Sequence, residues 1–157
     1  QNAAYARVYG MQWSLDAQIG SRWILTTRMN LQKGEEELDN GDISPSRHAA
    51  PFFGESSLIY EHNSWSGSLI YRFQGTKSHS QMAITEREKT DLYALNEDNL
   101  TYAPSWGVWN LVGKYEIAVW GNMLLKIENI TDHRYRPYSS GISAAGRSVQ
   151  LGFSVHF

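Results

Sequence analysis

Along the last ten residues of the chain, hydrophobic and polar positions alternate without error. Val149, Leu151, Phe153, Val155 and Phe157 share one parity, and Ser148, Gln150, Gly152, Ser154 and His156 share the other. A period of two is the mark of a pleated strand, whose successive side chains point to opposite faces. About ten residues is also the length a tilted strand needs to cross a bilayer. One wholly apolar face against one small, polar face suits a barrel wall between lipid and a wet lumen. A half-buried strand in a soluble sandwich accounts for the alternation, but not for the terminal aromatic.

The same reading applied upstream predicts about seven antiparallel, up-and-down strands and an all-β fold. They run from about Ala3 to Asp16, Arg22 to Lys33, Gly54 to Asn63, Ser66 to Lys77, Trp106 to Val119, Met123 to Ile130 and Ser148 to Phe157. In the first, Tyr9, Met11, Trp13 and Leu15 oppose Gln12 and Ser14; in the second, Trp23, Leu25, Met29 and Leu31 oppose Thr26, Arg28 and Asn30. The connections alternate strictly between short and long. Ala17 to Ser21, Ser64 to Trp65 and Trp120 to Asn122 read as tight turns; Gly34 to Phe53, Ser78 to Ser105 and Thr131 to Arg147 are long, polar and hold all four prolines. Short turns at one rim and long loops at the other is the pattern of bacterial outer-membrane barrels. Loops this long are uncommon in compact domains unless they carry function. The strand charges Arg28, Arg72, Lys114, Glu116, Lys126 and Glu128 take the polar parity, where they avoid lipid. Arg7 takes the apolar parity, which places it near a rim or after a bulge.

Composition then narrows the picture. A length of 157 residues suits one domain, and a net charge of −2 supplies no basic field for nucleic acid. The chain has no cysteine, so disulfides, thiolate metal sites and a cysteine nucleophile are excluded. No run of 18 apolar residues offers a transmembrane helix. Six Trp and nine Tyr suit two interfacial belts, and suit a Tyr/Trp-rich soluble β-domain equally well. The stretch opens at Gln1 without a basic and apolar leader, which leads us to expect a processed chain or the later part of a longer one.

Little in the sequence points to catalysis or a metal. The histidines at 48, 62, 79, 133 and 156 form no i,i+4 or His-x-His pair. Glu35–Glu37 with Asp39 and Asp42 form an acidic cluster at a Gly-containing turn, without the spacing of a calcium loop. No Gly-x-Ser-x-Gly element, phosphate loop or Ser/His/Asp spacing is present, and no cofactor is expected. Binding residues favour loops held on a rigid scaffold. Candidate ligand contacts are therefore Tyr93, Tyr102 and Tyr138, since tyrosine offers area and a hydrogen bond at low entropic cost, with His48 and His79 beside them. Tyr102 and Tyr138 suit an outer aromatic belt equally well.

From Ile127 onward the chain resembles the C-terminal end of TonB-dependent outer-membrane receptors. Glu128-Asn129-Ile130-Thr131-Asp132-His133-Arg134-Tyr135 is similar to that family's penultimate-strand signature, and Ala145-Gly146-Arg147 to the opening of its closing strand. Pro45 to Pro51 resembles the segment before a barrel strand, though the family's usual Ile-Pro-Pro is absent. The resemblance implies the final seven strands of a 22-stranded transmembrane barrel. It implies active uptake of a scarce, bulky solute such as a ferric siderophore, haem, cobalamin or a glycan across a Gram-negative outer membrane. The long loops would be extracellular and the C-terminus would lie at the periplasmic rim. The expected partners are the rest of the barrel and its plug domain, outer-membrane lipid, TonB through that missing part, and the barrel-assembly machinery. Phe157, Phe153 and Val155 would form the signal read by that machinery. A soluble ligand-binding β-barrel and a membrane-barrel enzyme are the alternatives.

Overall fold

The computed structural model describes residues 5–118 and 120–155. Seven long strands form one antiparallel sheet: β1 (Ala6–Ile19), β2 (Trp23–Glu37), β4 (Phe53–His62), β5 (Trp65–Gln74), β8 (Trp106–Ala118), β9 (Gly121–Glu128) and β10 (Ser148–Val155). Each pairs with its sequence neighbour in the order β1-β2-β4-β5-β8-β9-β10. The up-and-down order thus holds throughout, because two- and three-residue turns leave no room for a crossover. Three short strands lie off this path: β3 (Ile43–Pro45) against the end of β2, and β6 (Ala94–Leu95) against β7 (Thr101–Tyr102). Helix is confined to a 3₁₀ turn at His79–Gln81 and α1 (Ile84–Arg87).

The boundaries differ from the sequence reading at the hairpin ends. β1 runs on to Ile19 and β2 to Glu37, so the first turn is residues 20–22, with Gly20 at φ +67°. In the second turn Asn63 takes φ +43°, a left-handed conformation that asparagine tolerates. The residues expected at Ala3 and Ala4, Val119, His156 and Phe157 lie outside the described residues.

Register fixes the two faces. On one, Met11, Leu15, Leu31, Leu58, Leu69, Leu151 and Phe153 are all exposed. The other carries Asp16, Arg28, Glu55, Arg72, Lys126 and Glu128. Arg28 chelates Asp16 at 2.8 and 2.9 Å, Arg72 bonds Glu55, and Lys126 meets Glu128 at 2.8 Å. A one-residue slip would exchange the faces, so the alternation in the sequence also sets the register. Arg7 sits opposite Glu35, within two pairs of the long-loop end of the hairpin, and Glu35 also holds Lys33 at 2.8 Å. Arg7, Lys33 and Glu35 share the apolar parity, and all three lie toward the long-loop rim.

On the apolar face, aromatic side chains gather at two heights. Trp23, Tyr60, Trp65 and Tyr115 sit near the tight turns, with Trp23–Tyr60 at 4.6 Å and Tyr60–Trp65 at 5.0 Å. Trp13, Phe52, Phe73, Tyr71 and Trp109 sit toward the loops, with Tyr71–Trp109 at 4.7 Å. Residues 65 and 71 to 73 are separated by about 20–26 Å of strand at roughly 3.3 Å per residue. Tilt shortens that height to the scale of the apolar band of a membrane barrel. The wall, a single sheet, has no interior of its own. Nearly all of the buried apolar residues lie instead in the loops: Ala49, Met82, Ala83, Tyr93, Ala103 and Tyr138, with Val108 beneath them.

Candidate functional site

The three long connections all leave the same rim: L1 (38–52), L2 (75–105) and L3 (129–147). They do not hang separately. L2 is closed at its base by paired backbone bonds between Lys77 and Ala103, at 2.9 and 3.0 Å. Its β6–β7 ribbon turns on Asn96, whose carbonyl oxygen accepts the Asp98 and Leu100 amides at 3.0 and 2.8 Å. Met82, Tyr93 and Ala103 of L2 then pack with Tyr138 of L3.

A buried carboxylate ties this core together. Glu86 is 1% exposed, accepts hydrogen bonds from Lys89 at 2.6 Å and from the Tyr93 hydroxyl at 2.6 Å, and forms an ion pair with Arg47 of L1 at 2.8 Å. Burial alone raises the pKa of such a group; the bonds from Lys89 and Tyr93 and the charge of Arg47 outweigh it, so the carboxyl titrates below its usual range. Burial and this anion together push the Tyr93 hydroxyl far up. A second cation, Lys77, is 6% exposed, donates to the Ala49 carbonyl of L1 and lies 4.8 Å from the centre of the Tyr138 ring. Burial without a carboxylate partner lowers its pKa. Ser44 of L1 accepts the Ile84 amide at 3.1 Å, and Arg136 of L3 donates to the Leu92 carbonyl at 2.7 Å. L1, L2 and L3 are thereby one body.

L3 is also clasped at its own ends. Asn129, at φ +49° and 3% exposed, donates to the carbonyls of His133 and Ala145 at 2.9 and 3.2 Å and accepts the His133 amide at 3.0 Å. Its own amide reaches Asn110 on β8 at 2.9 Å. Asp132, at φ +53°, accepts the Arg147 amide at 2.8 Å, and a Cβ on Gly146 would stand 2.9 Å from that carboxylate. Tyr135 stacks on Trp106 with ring centres 4.2 Å apart. The residues that carry the resemblance are those that fold the loop back onto the closing strand.

Of the residues expected at the ligand, Tyr93 and Tyr138 are buried in the loop core. Tyr102 is half-exposed in β7 opposite Ala94, His48 is exposed on L1, and the His79 ring nitrogen lies 3.1 Å from both oxygens of Thr101. These positions are spread across the cap and do not converge on one point. Phe153 and Val155 lie exposed on the apolar face of β10. The acidic stretch resolves into strand and turn: Glu35–Glu37 pair with β3, and Asn40 caps a turn by bonding Asp42 at 2.7 and 3.1 Å. No cluster of three metal-ligating side chains occurs among the described residues. Sequence reasoning missed Glu86, Lys77 and Met82, which carry no local pattern.

Beneath the cap the polar face forms a pocket of about 740 Å³, lined by Asn30, Arg72, Gln74 and Trp106 of the wall and by Pro137 and Tyr138 of L3. Its size falls in the range of small-molecule sites. The arrangement has what binding needs, a rigid wall roofed by loops.

The sequence matches no protein-family model and none of the curated proteins. Solved structures do match. The chain superposes on the copper transporter OprC with a TM-score of 0.77 at 17% identity, over 97% of this chain and 23% of that one. It superposes on the siderophore receptor PiuA from Acinetobacter baumannii with a TM-score of 0.64 at 15% identity, over 96% of this chain and 22% of that one. The chain thus spans less than a quarter of the length of either protein. An antiparallel wall of seven up-and-down strands, capped at one rim by three interlocked loops, is thus a fold that this chain shares with a segment of each of these two proteins.

Proposed function

We propose that this chain forms part of the wall and of the extracellular cap of an outer-membrane transporter that takes up a scarce, bulky solute with energy supplied through TonB. The observation that carries the reading is the division of labour in the sheet. One face is apolar and exposed between the rims, the other is charged, and residues of L1 and L3 roof a pocket on the charged side. A lipid-embedded wall around a wet lumen requires that division, whereas a soluble sandwich would bury the apolar face that is exposed here among the described residues. The seven strands are the last of a 22-stranded barrel, with the loops outside and β10 ending at the periplasmic rim. The remainder of the barrel, a plug within it, TonB and the barrel-assembly machinery are the partners, the last reading Phe153, Val155 and Phe157.

The solute belongs to the class of ferric siderophores, haem, cobalamin or glycans. The cap contacts it through exposed loop positions, His48 and Tyr102 first among them, with His79 at the L2 base. Tyr93 and Tyr138 serve the solute indirectly by holding the loops together. The test is deletion of the gene that encodes this chain, followed by growth on limiting supplies of each solute class, beside a strain lacking TonB. Loss of growth on one class in both strains supports the reading. Unchanged growth on all four, with the protein demonstrably expressed in the parent, removes it.

A further inference from the structure

Seven buried side-chain polar atoms have no hydrogen-bond partner among the described residues, and five of them belong to the segment 136–139 of L3 and to Gln74 and Trp106 of the wall beneath it. On the loop side are Arg136 Nε, the Tyr138 hydroxyl and the Ser139 hydroxyl; on the wall side are Gln74 Nε2 and Trp106 Nε1. Gln74 is 6% and Tyr138 8% exposed, so no solvent shell replaces the missing partners. One direct bond crosses the seam between these groups, from the Tyr138 amide to Gln74 Oε1 at 3.2 Å. In the same segment Ser139 holds φ +62°, a left-handed backbone that a serine adopts only under constraint.

Native interiors leave few polar groups unpaired, because each one forfeits its bonds to water. Five in this loop segment and the wall beneath it, beside a strained residue, describe a contact that packs well and bonds poorly. The seam also roofs the pocket on the polar wall, which Gln74, Trp106, Pro137 and Tyr138 line. We propose that residues 136–139 are a removable stopper, and that a ligand rich in hydrogen-bond acceptors takes its place against Gln74 and Trp106. The acceptor preference follows from what is left unpaired. With residues 136–139 displaced, the unpaired groups left on the wall are the Gln74 amide nitrogen and the Trp106 indole nitrogen, both donors alone. The charges of the wall nearby are already spent on one another, Arg72 on Glu55 and Arg28 on Asp16. Neutral oxygen acceptors are therefore favoured over anions. The clasp at Asn129 and Asp132 lies outside the segment and anchors it while it moves.

This inference rests on the polar face being the solute-facing wall, but its test reads the stopper without transport. Hydrogen exchange is followed by mass spectrometry on the detergent-solubilised barrel that contains this chain, for the parent and for Y138F and S139A. Each variant deletes one unpaired hydroxyl and no existing hydrogen bond. If the stopper is held shut against that penalty, either variant slows exchange over 136–140 by about threefold or more while β8 and β9 stay unchanged. Unchanged or faster exchange in both variants overturns the stopper. Crystals of the parent soaked in dimethyl sulfoxide, an acceptor with no donor, report on the vacated site. Density within hydrogen-bond distance of Gln74 Nε2 or Trp106 Nε1, with 136–139 displaced, is expected. A seated loop with no bound acceptor overturns the ligand assignment. Loss of the transport phenotype's solute specificity, by contrast, would bear on the proposed function and leave both readouts intact.

Discussion

Glu86 concentrates in one side chain what holds the cap together: two hydrogen-bond donors of L2 and the Arg47 guanidinium of L1 converge on a carboxylate that is 1% exposed. A charged hydrogen bond of this kind contributes more than a neutral one, and leaving its partners unmatched costs more again. E86Q keeps the shape but removes the charge, and should weaken the closed cap by about 1–3 kcal/mol. Faster hydrogen exchange over L1 and L2, with the strands of the wall unaffected, is the expected result. The same group makes the cap acid-sensitive. Its folded pKa lies below the ordinary 4.5, so its contribution is fully present above about that value and is lost as the pH falls through the lower folded value. The protection of L2 amides, with the intrinsic pH dependence of exchange divided out, should therefore fall on acidification below pH 4.5 in the parent and stay flat in E86Q. Asn129 is the other residue on which a loop depends. N129A removes three side-chain hydrogen bonds and leaves a left-handed backbone to an alanine. A loss of roughly 2–4 kcal/mol in the local opening energy of L3 is expected, measured by exchange at residues 133–147.

At the scale of elements, the strands and their neighbours could be read directly from the sequence. A face with Val149, Leu151 and Phe153 against Gln150 and Ser154 admits one period, and two-residue turns admit one partner. The loops could not. Glu86 meets Arg47 across 39 positions of sequence and Tyr138 meets Gln74 across 64, and no local periodicity announces contacts of that range. Tyr93 and Tyr138, which the sequence offers as ligand contacts, lie in the buried core of the cap with Met82 and Ala103. The Asn129–Arg147 signature was visible, and its clasp geometry explains why those residue types stand there. The assignment of faces can be checked on β10. L151R puts a charge on the apolar face and should cost about 2–4 kcal/mol if the site is near the midplane of a bilayer, whereas Q150R beside Glu128 should cost much less. Urea midpoints of the barrel in lipid vesicles give the comparison, and equal losses at both positions would mean that the faces have been assigned the wrong way round.

The whole sheet is open. β1 and β10 end the strand order, and among the described residues neither has a partner on its outer edge. An unpaired ladder of amides and carbonyls is tolerated poorly in water and not at all in lipid, where each orphaned group costs several kcal/mol. The apolar face adds to the difficulty, since Met11, Val149 and Phe153 are each about two-thirds exposed and form part of a continuous wall far larger than the apolar patches of soluble monomers. The buried core that does exist lies in the loops, and it holds the cap to itself rather than the wall to anything. Residues 1–157 produced on their own in detergent-free buffer should therefore associate through their edges and apolar face instead of forming a monomer. Size exclusion with light scattering, alongside circular dichroism on heating, tests this. Aggregates or higher oligomers rich in strand are the expected result. A monodisperse monomer that melts cooperatively would show that the wall needs neither lipid nor further strands, and the soluble ligand-binding barrel would replace the transporter as the reading of this fold.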